Sequence, residues 1–207
     1  MTGARSEHWD KVFTTKVENE VSWFQPRPET SLRLIHACNL RKDACILDVG
    51  AGVSHLPDVL LAEGLNNVVL LDVSAAALER LKVRLGGDGR SVRFIVADIT
   101  TWEPDLVVDL WHDRAVLHFL TESGDRAAYA EALRHSVKMG GFVIISGFAL
   151  GGPERCSGLP VLRAGQDDIA ALLGPDFDLL EAFEEDHQTP SGGRQRFVFT
   201  RFHRRLV

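Results

Sequence analysis

Cysteine is scarce in this 207-residue chain: Cys38, Cys45 and Cys156 are the only three. An odd number at spacings that match no zinc motif excludes a disulfide framework and a cysteine metal centre, and reduced thiols in the cytosol are the simplest expectation. Long apolar runs are missing as well. None reaches the roughly 18 residues a membrane span needs, and residues 1–10 lack the apolar centre of a secretory signal. The sequence therefore predicts a cytoplasmic protein with no membrane partner. Positive charge is thin: the net charge is −6, and the only basic cluster is Arg201, Arg204 and Arg205. A nucleic-acid partner needs a basic stripe, and none is present. Repeats and low-complexity tracts are absent too.

What remains is an ordinary globular composition, 45% hydrophobic and 25% charged, in a chain of single-domain length that can bury a sizeable core. From residue 45 onward, short apolar runs alternate with helical patterns, as in a parallel sheet with crossover helices. Strands are expected at 45–50, 68–73, 92–97, 107–111 and 142–146, rich in β-branched residues as suits strands covered on both faces. Helices are expected at 56–63, 75–85 and 126–139. Ser74 and Asp125 are placed to cap the second and third, Gly86 with Gly87 and Gly140 to stop them. Tyr129, Leu133 and Val137 form a core-facing stripe on the third. After a loop over 151–165 come a short helix at 166–173 and two strands, 177–183 and 197–202. These predict an antiparallel hairpin closing one edge of a doubly wound α/β sheet. The expected organisation is one domain over 1–207: an N-terminal helical or lid segment (1–40), a cofactor-binding core (45–148), and a substrate loop with the closing hairpin (149–207).

The chemistry concentrates at the strand tips. In ILDVGAGVSHLPD, Asp48, Gly50, Gly52 and Ser54 lie where a strand turns into a helix, and the two glycines permit close backbone approach to a ligand at the carboxyl end of the sheet. Asp72, followed by Val73, closes the next strand 20 residues after Gly52, where a carboxylate can accept from both hydroxyls of a ribose. Asp98 closes the third strand, and with Ile99 it offers an adenine ring one polar contact and one apolar face. A nicotinamide dehydrogenase shares the fold and the ribose acid, but its third glycine falls here on His55. The imidazole argues for a nucleoside cofactor without phosphates, and S-adenosylmethionine is one.

These residues resemble the class I S-adenosylmethionine-dependent methyltransferases over nearly the whole chain: LDVGAG is similar to their first motif, LLDVS to their ribose-binding acid and VADI to their adenine motif. A narrower likeness is to the thiopurine and thiol S-methyltransferases. It rests on Trp9 in HWDKVF, on Trp23, Phe24 and Gln25 in VSWFQPRP, on Asp113, Arg114, Ala115, Val116 and Leu117 after the fourth strand, on the 125–129 helix start, and on Gly140 with Gly141. His112 beside Asp113, and Cys156 in RCSGLPV, depart from that pattern.

The resemblance implies a seven-stranded Rossmann-like sheet, S-adenosylmethionine as cofactor and a small-molecule acceptor. Methyl transfer then needs alignment of a nucleophile and exclusion of water, without metal or covalent intermediate. Trp23 and Phe24 are expected to fold over the cofactor, with Gln25 offering a hydrogen bond, and Asp113 to meet the cofactor's amino group. Arg114 is expected to favour a thiolate, and His112, His118 or His187 to accept its proton. A soft nucleophile, thiol or metalloid, is the leading acceptor. A protein lysine, another small metabolite, and a non-catalytic S-adenosylmethionine sensor are the alternatives. Oligomeric state is not legible.

Overall fold

A computed structural model describes residues 2–206. Seven strands form one sheet: β1 (Ile46–Val49), β2 (Val68–Asp72), β3 (Arg93–Val96), β4 (Val108–Arg114), β5 (Val137–Phe148), β8 (Phe177–Gln188) and β9 (Arg194–Arg204); β6 (Arg155–Cys156) and β7 (Leu159–Pro160) pair separately. The order across the sheet is β3-β2-β1-β4-β5-β9-β8. The first five run parallel, and β9 enters antiparallel between β5 and β8. The expected doubly wound sheet with a closing hairpin is therefore what the chain forms. The order reverses at β1 and β4, the switch point where such sheets open a crevice at their carboxyl ends.

Alternation along each strand sends successive side chains to opposite faces. Ile46, Leu70, Leu110 and Ile144 pack with α2 (Glu29–His36), α3 (Leu56–Ala62) and α4 (Ala75–Leu85). Leu47, Leu71, Trp111 and Ile145 pack instead with α5 (Ser123–Ser136) and α6 (Gln166–Leu173). Each helix supplies an apolar stripe, such as Leu78, Leu81 and Leu85 on α4. Ser74 caps α4 by accepting from the Ala77 amide at 3.1 Å, and Gly86 ends it at φ 54°.

Five expectations are corrected. The third helix was expected at 126–139, but α5 is capped at Glu122 and stops at Ser136. Gly140 lies inside β5 at φ 72°, beside an irregularity in the β4–β5 register, so it bends a strand and does not end a helix. Asp125 is not a cap; it pairs with Arg5. The third strand was expected to be covered on both faces, yet β3 is an edge strand with Arg93 and Val96 exposed. Finally, the 151–165 loop contains a tight hairpin, β6–β7, turning through Ser157 and Gly158 at φ 48° and 79°, as a primed two-residue turn requires.

At the N-terminus, α1 (Thr2–Thr15) lies across the carboxyl ends of the strands. Asp10 accepts from the Ser74 hydroxyl at 2.6 Å and the Ala76 amide at 3.1 Å, joining α1 to the start of α4. Among the described residues no helix is long and apolar enough to cross a membrane.

Candidate active site

The first two strand tips converge on a shared turn. Gly50 and Gly52 adopt φ 69° and 53°, a region other residues enter only under strain. A Cβ on Gly50 would meet Val116 Cγ2 at 2.0 Å, so glycine here is a requirement of packing as well as of backbone. The Gly52 amide donates to Asp72 Oδ2 at 2.8 Å, and the Ser74 amide to Oδ1 at 2.8 Å. The Asp72 carboxylate is thus fixed by two backbone donors while lining the cleft. Burial nonetheless pushes its carboxyl up to about 6, the two amides opposing.

The cleft spans about 1370 Å³ with its open mouth included. Its floor comprises Asp48, Gly50, Gly52, Ser54, Asp72, Val73, Asp98 and Ile99. Every cofactor residue expected from the first three strands is therefore brought to one cavity. His55, at the third-glycine position, begins α3 and pairs with Glu18 at 2.6 Å.

Over the floor lies a cover that the sequence reading caught only in part. Arg5, Trp9 and Phe13 recur every fourth residue on α1, and all three line the cleft with Trp23 and Gln25. Trp9 packs on Trp23 with ring centroids 5.8 Å apart and on Phe119 at 5.0 Å. Arg5 reaches Asp98 at 3.1 Å and also pairs with Asp125. The four-residue spacing was a usable signal for this face; Arg5 alone carries none.

The far end of the cleft is lined by Arg114, His118, Phe148, Cys156, Gln195 and Phe197. Arg114 projects from the end of β4, and Ala115 follows at φ 79°, a strained turn for a residue with a side chain. Its guanidinium donates to the Trp23 carbonyl at 3.0 Å. No carboxylate lies within ion-pair distance among the described residues, although Asp48 is near enough to favour the charge. Burial brings the Arg114 guanidinium down to about 10, still a cation at neutral pH. Cys156 is buried and its thiol is pushed up by that burial.

Several expected site residues stand elsewhere. Asp113 does not line the cleft: its carboxylate accepts from the Val116 amide at 2.8 Å, the Leu117 amide at 3.1 Å and the Tyr129 hydroxyl at 2.7 Å. It organises the turn after β4, and burial raises it to about 6. Phe24 is also outside the cavity lining, packed edge-on to His55. His187 is outside too, its Nε2 donating to the Ser22 carbonyl at 2.8 Å. His118 lines the cleft but takes the Phe148 amide on Nδ1 at 3.3 Å, which leaves the proton on Nε2. Desolvation and then Arg114 push it down to about 3, so it is a neutral N–H donor and not a base. His112 has both nitrogens engaged, by Asp48 at 2.7 Å and Ser31 at 2.9 Å. No group of three potential metal ligands occurs among the described residues.

Residues 46–141 match the family model described as methyltransferase domain. The chain has the class I methyltransferase fold. A solved methyltransferase from Anabaena variabilis, described as S-adenosylmethionine-dependent, is 16% identical with a TM-score of 0.77, covering 99% of this chain and 95% of its own. A structure described by the conversion of a disulfide bond into a thioacetal group during echinomycin biosynthesis is 21% identical with a TM-score of 0.74, covering 97% and 93%. The 1,6-didemethyltoxoflavin-N1-methyltransferase of Burkholderia thailandensis, solved with bound 1,6-didemethyltoxoflavin and S-adenosylhomocysteine, is 18% identical with a TM-score of 0.68, covering 99% and 85%. Identities this low carry the fold alone. No curated protein sequence matches the chain.

Proposed function

We propose that this protein transfers the methyl group of S-adenosylmethionine to a small, soft nucleophile, a thiol or metalloid species. The matched domain and the cleft at the switch point support the methyltransferase part. The floor fits the cofactor: the Gly50–Gly52 turn lines the cleft, and acids stand at the tips expected to meet ribose and adenine. Asp48 takes the role first expected of Asp113, since it lines the cleft and its Oδ2 has no hydrogen-bond partner in the protein among the described residues. An ionised carboxylate there complements the cofactor's ammonium.

When bound, S-adenosylmethionine supplies an activated sulfonium methyl, and what the chain adds is alignment and a dry surround. Trp9, Phe13 and Trp23 cover the cleft, and Arg5 anchors the helix of Trp9 and Phe13 at Asp98. The observation that carries the acceptor class is the far end of the cleft. It sets Arg114, a cation held by the Trp23 carbonyl and with no carboxylate at ion-pair distance among the described residues, beside His112 and His118, which offer no free basic nitrogen to the cavity. An amine or hydroxyl acceptor would need a base to take its proton. A thiol needs only a cation that favours its thiolate, because its ordinary pKa near 8.5 already leaves a few per cent ionised at neutral pH. Solved neighbours are described for reactions at sulfur and at nitrogen alike, so the acceptor preference rests on this cleft.

The test incubates the purified protein with S-adenosylmethionine and separate panels of thiols, metalloid oxyanions, amines and protease-treated or intact lysate, measuring S-adenosylhomocysteine release. Release with thiols or metalloids supports the proposal. Release only with amines, or only with intact lysate protein, overturns the acceptor class.

A further inference from the structure

Asp48, His112 and Ser31 form a buried chain, and the reaction above gives His112 and Ser31 no task. Asp48 on β1 stands opposite His112 on β4 in the sheet register. Asp48 Oδ1 lies 2.7 Å from His112 Nδ1, and His112 Nε2 lies 2.9 Å from the hydroxyl of Ser31 on α2. None of the three is more than 3% exposed. The order of contacts is that of a carboxylate–imidazole–serine triad, but only Asp48 and His112 line the cleft. Ser31 sits behind the ring, where no substrate reaches it, so the chain is not a nucleophile assembly.

Counting protons fixes the direction of the chain. Ser31 has one hydroxyl hydrogen, and His112 Nε2 is the only hydrogen-bond partner its hydroxyl has among the described residues. The arrangement that satisfies every group has Ser31 donating to Nε2, which puts the ring hydrogen on Nδ1, donating to Asp48. An imidazolium would set an Nε2 hydrogen against the serine and leave the serine hydrogen without an acceptor in a buried site. The imidazole therefore delivers one N–H to Oδ1 of Asp48 and has no capacity left for a substrate proton. Oδ2 is turned free toward the cleft.

We infer that His112 is a positioning residue, locked in its Nδ1–H tautomer by Ser31, that holds the Asp48 carboxylate in place for the ammonium of the cofactor's amino-acid arm. The inference rests on the cofactor reading given above. Its consequence is selective: loosening the chain weakens a ligand that carries the ammonium and spares one that lacks it.

Two probes separate those cases in calorimetry, S-adenosylhomocysteine with the arm and 5′-methylthioadenosine without it. Ser31→Ala and His112→Leu are expected to weaken S-adenosylhomocysteine about tenfold, the scale of one hydrogen bond to a charged group. Methylthioadenosine affinity stays within about twofold in both. His112→Asn, whose side-chain amide can donate in place of Nδ1, recovers most of the loss. In an Asp48→Asn background, Ser31→Ala has no further effect, since the two act as one unit. Equal weakening of both probes means a merely structural chain and overturns the inference, as does unchanged binding of both. Wild-type protein that binds neither probe defeats the cofactor reading itself, a result distinct from the other two. Ser31→Ala is the smallest of these changes, and a thermal melt alongside the calorimetry checks that each variant is folded.

Discussion

At Asp113 a carboxylate expected to meet the cofactor holds a turn. Three donors converge on it, two amides and the Tyr129 hydroxyl, which in turn accepts from Trp111 Nε1 at 3.0 Å. Asparagine has one acceptor oxygen for these three and turns an NH₂ toward the rest. Asp113→Asn is accordingly expected to cost about 2–4 kcal/mol in urea unfolding, while the folded fraction binds S-adenosylhomocysteine within about twofold of wild type. Lost affinity at unchanged stability would restore the first expectation. Nothing in the sequence separates the two roles, because an acid at the end of β4 reads alike whether it faces the cleft or the chain behind it. Gly50 was legible, and Gly50→Ala is expected to abolish soluble expression or cofactor binding, since its Cβ collides with Val116. Asp72 gives a pH test. Its folded value of about 6 exceeds the unfolded value of about 3.9, so folding takes up a proton between them. The stability it contributes is complete below about pH 4 and is lost as the pH rises through about 6. Asp72→Asn does not titrate, so its stability relative to wild type should improve from pH 4 to pH 7 in urea melts. A flat difference would mean the carboxyl is not desolvated.

Among the elements, β1, β2 and α4 were readable nearly to the residue, because periodicity, Ser74 and Gly86 agree there. The end of α5 was not. Val137 continues the helical stripe of Tyr129 and Leu133 and packs in the same core, so apolar spacing alone cannot reveal that the chain has already become a strand. The polar residues after Phe183 likewise hide the length of β8, since one face of that edge strand meets solvent. The N-terminal segment was expected as a lid from Trp23 and Phe24; Trp23 lines the cleft, and Arg5, Trp9 and Phe13 line it too. Its ties run from Arg5 to Asp98, from Asp10 to Ser74, and from Glu18 to Arg84 at 3.0 Å and to His55. Removing residues 1–25 is expected to leave a cooperatively folded sheet, by circular dichroism and thermal melt, that binds S-adenosylhomocysteine at least tenfold more weakly. Loss of folding instead would make the segment part of the core and not a cover.

For the molecule as a whole, the strand order, the hairpin and the acid-terminated tips followed from hydrophobic pattern and glycine turns, whereas the acceptor end depends on side chains from β4, β6, β9 and the N-terminal segment that meet only after folding. That separation explains why the convergence of Asp48, Gly50, Gly52, Asp72 and Asp98 on one cleft was legible and the proton inventory of the histidines was not. The basic cluster at the C-terminus shows the same limit: Arg201 pairs with Glu181, Arg205 with Asp178, and Arg204 donates to the Arg134 carbonyl, partners that meet only in the folded sheet. The most direct measurement is a crystal structure with S-adenosylhomocysteine. The account predicts the ribose at Asp72, the adenine between Asp98 and Ile99, the ammonium at Asp48, and the sulfur facing Arg114. Ligand lodged outside this cleft, or a sulfur pointing away from Arg114, would contradict it.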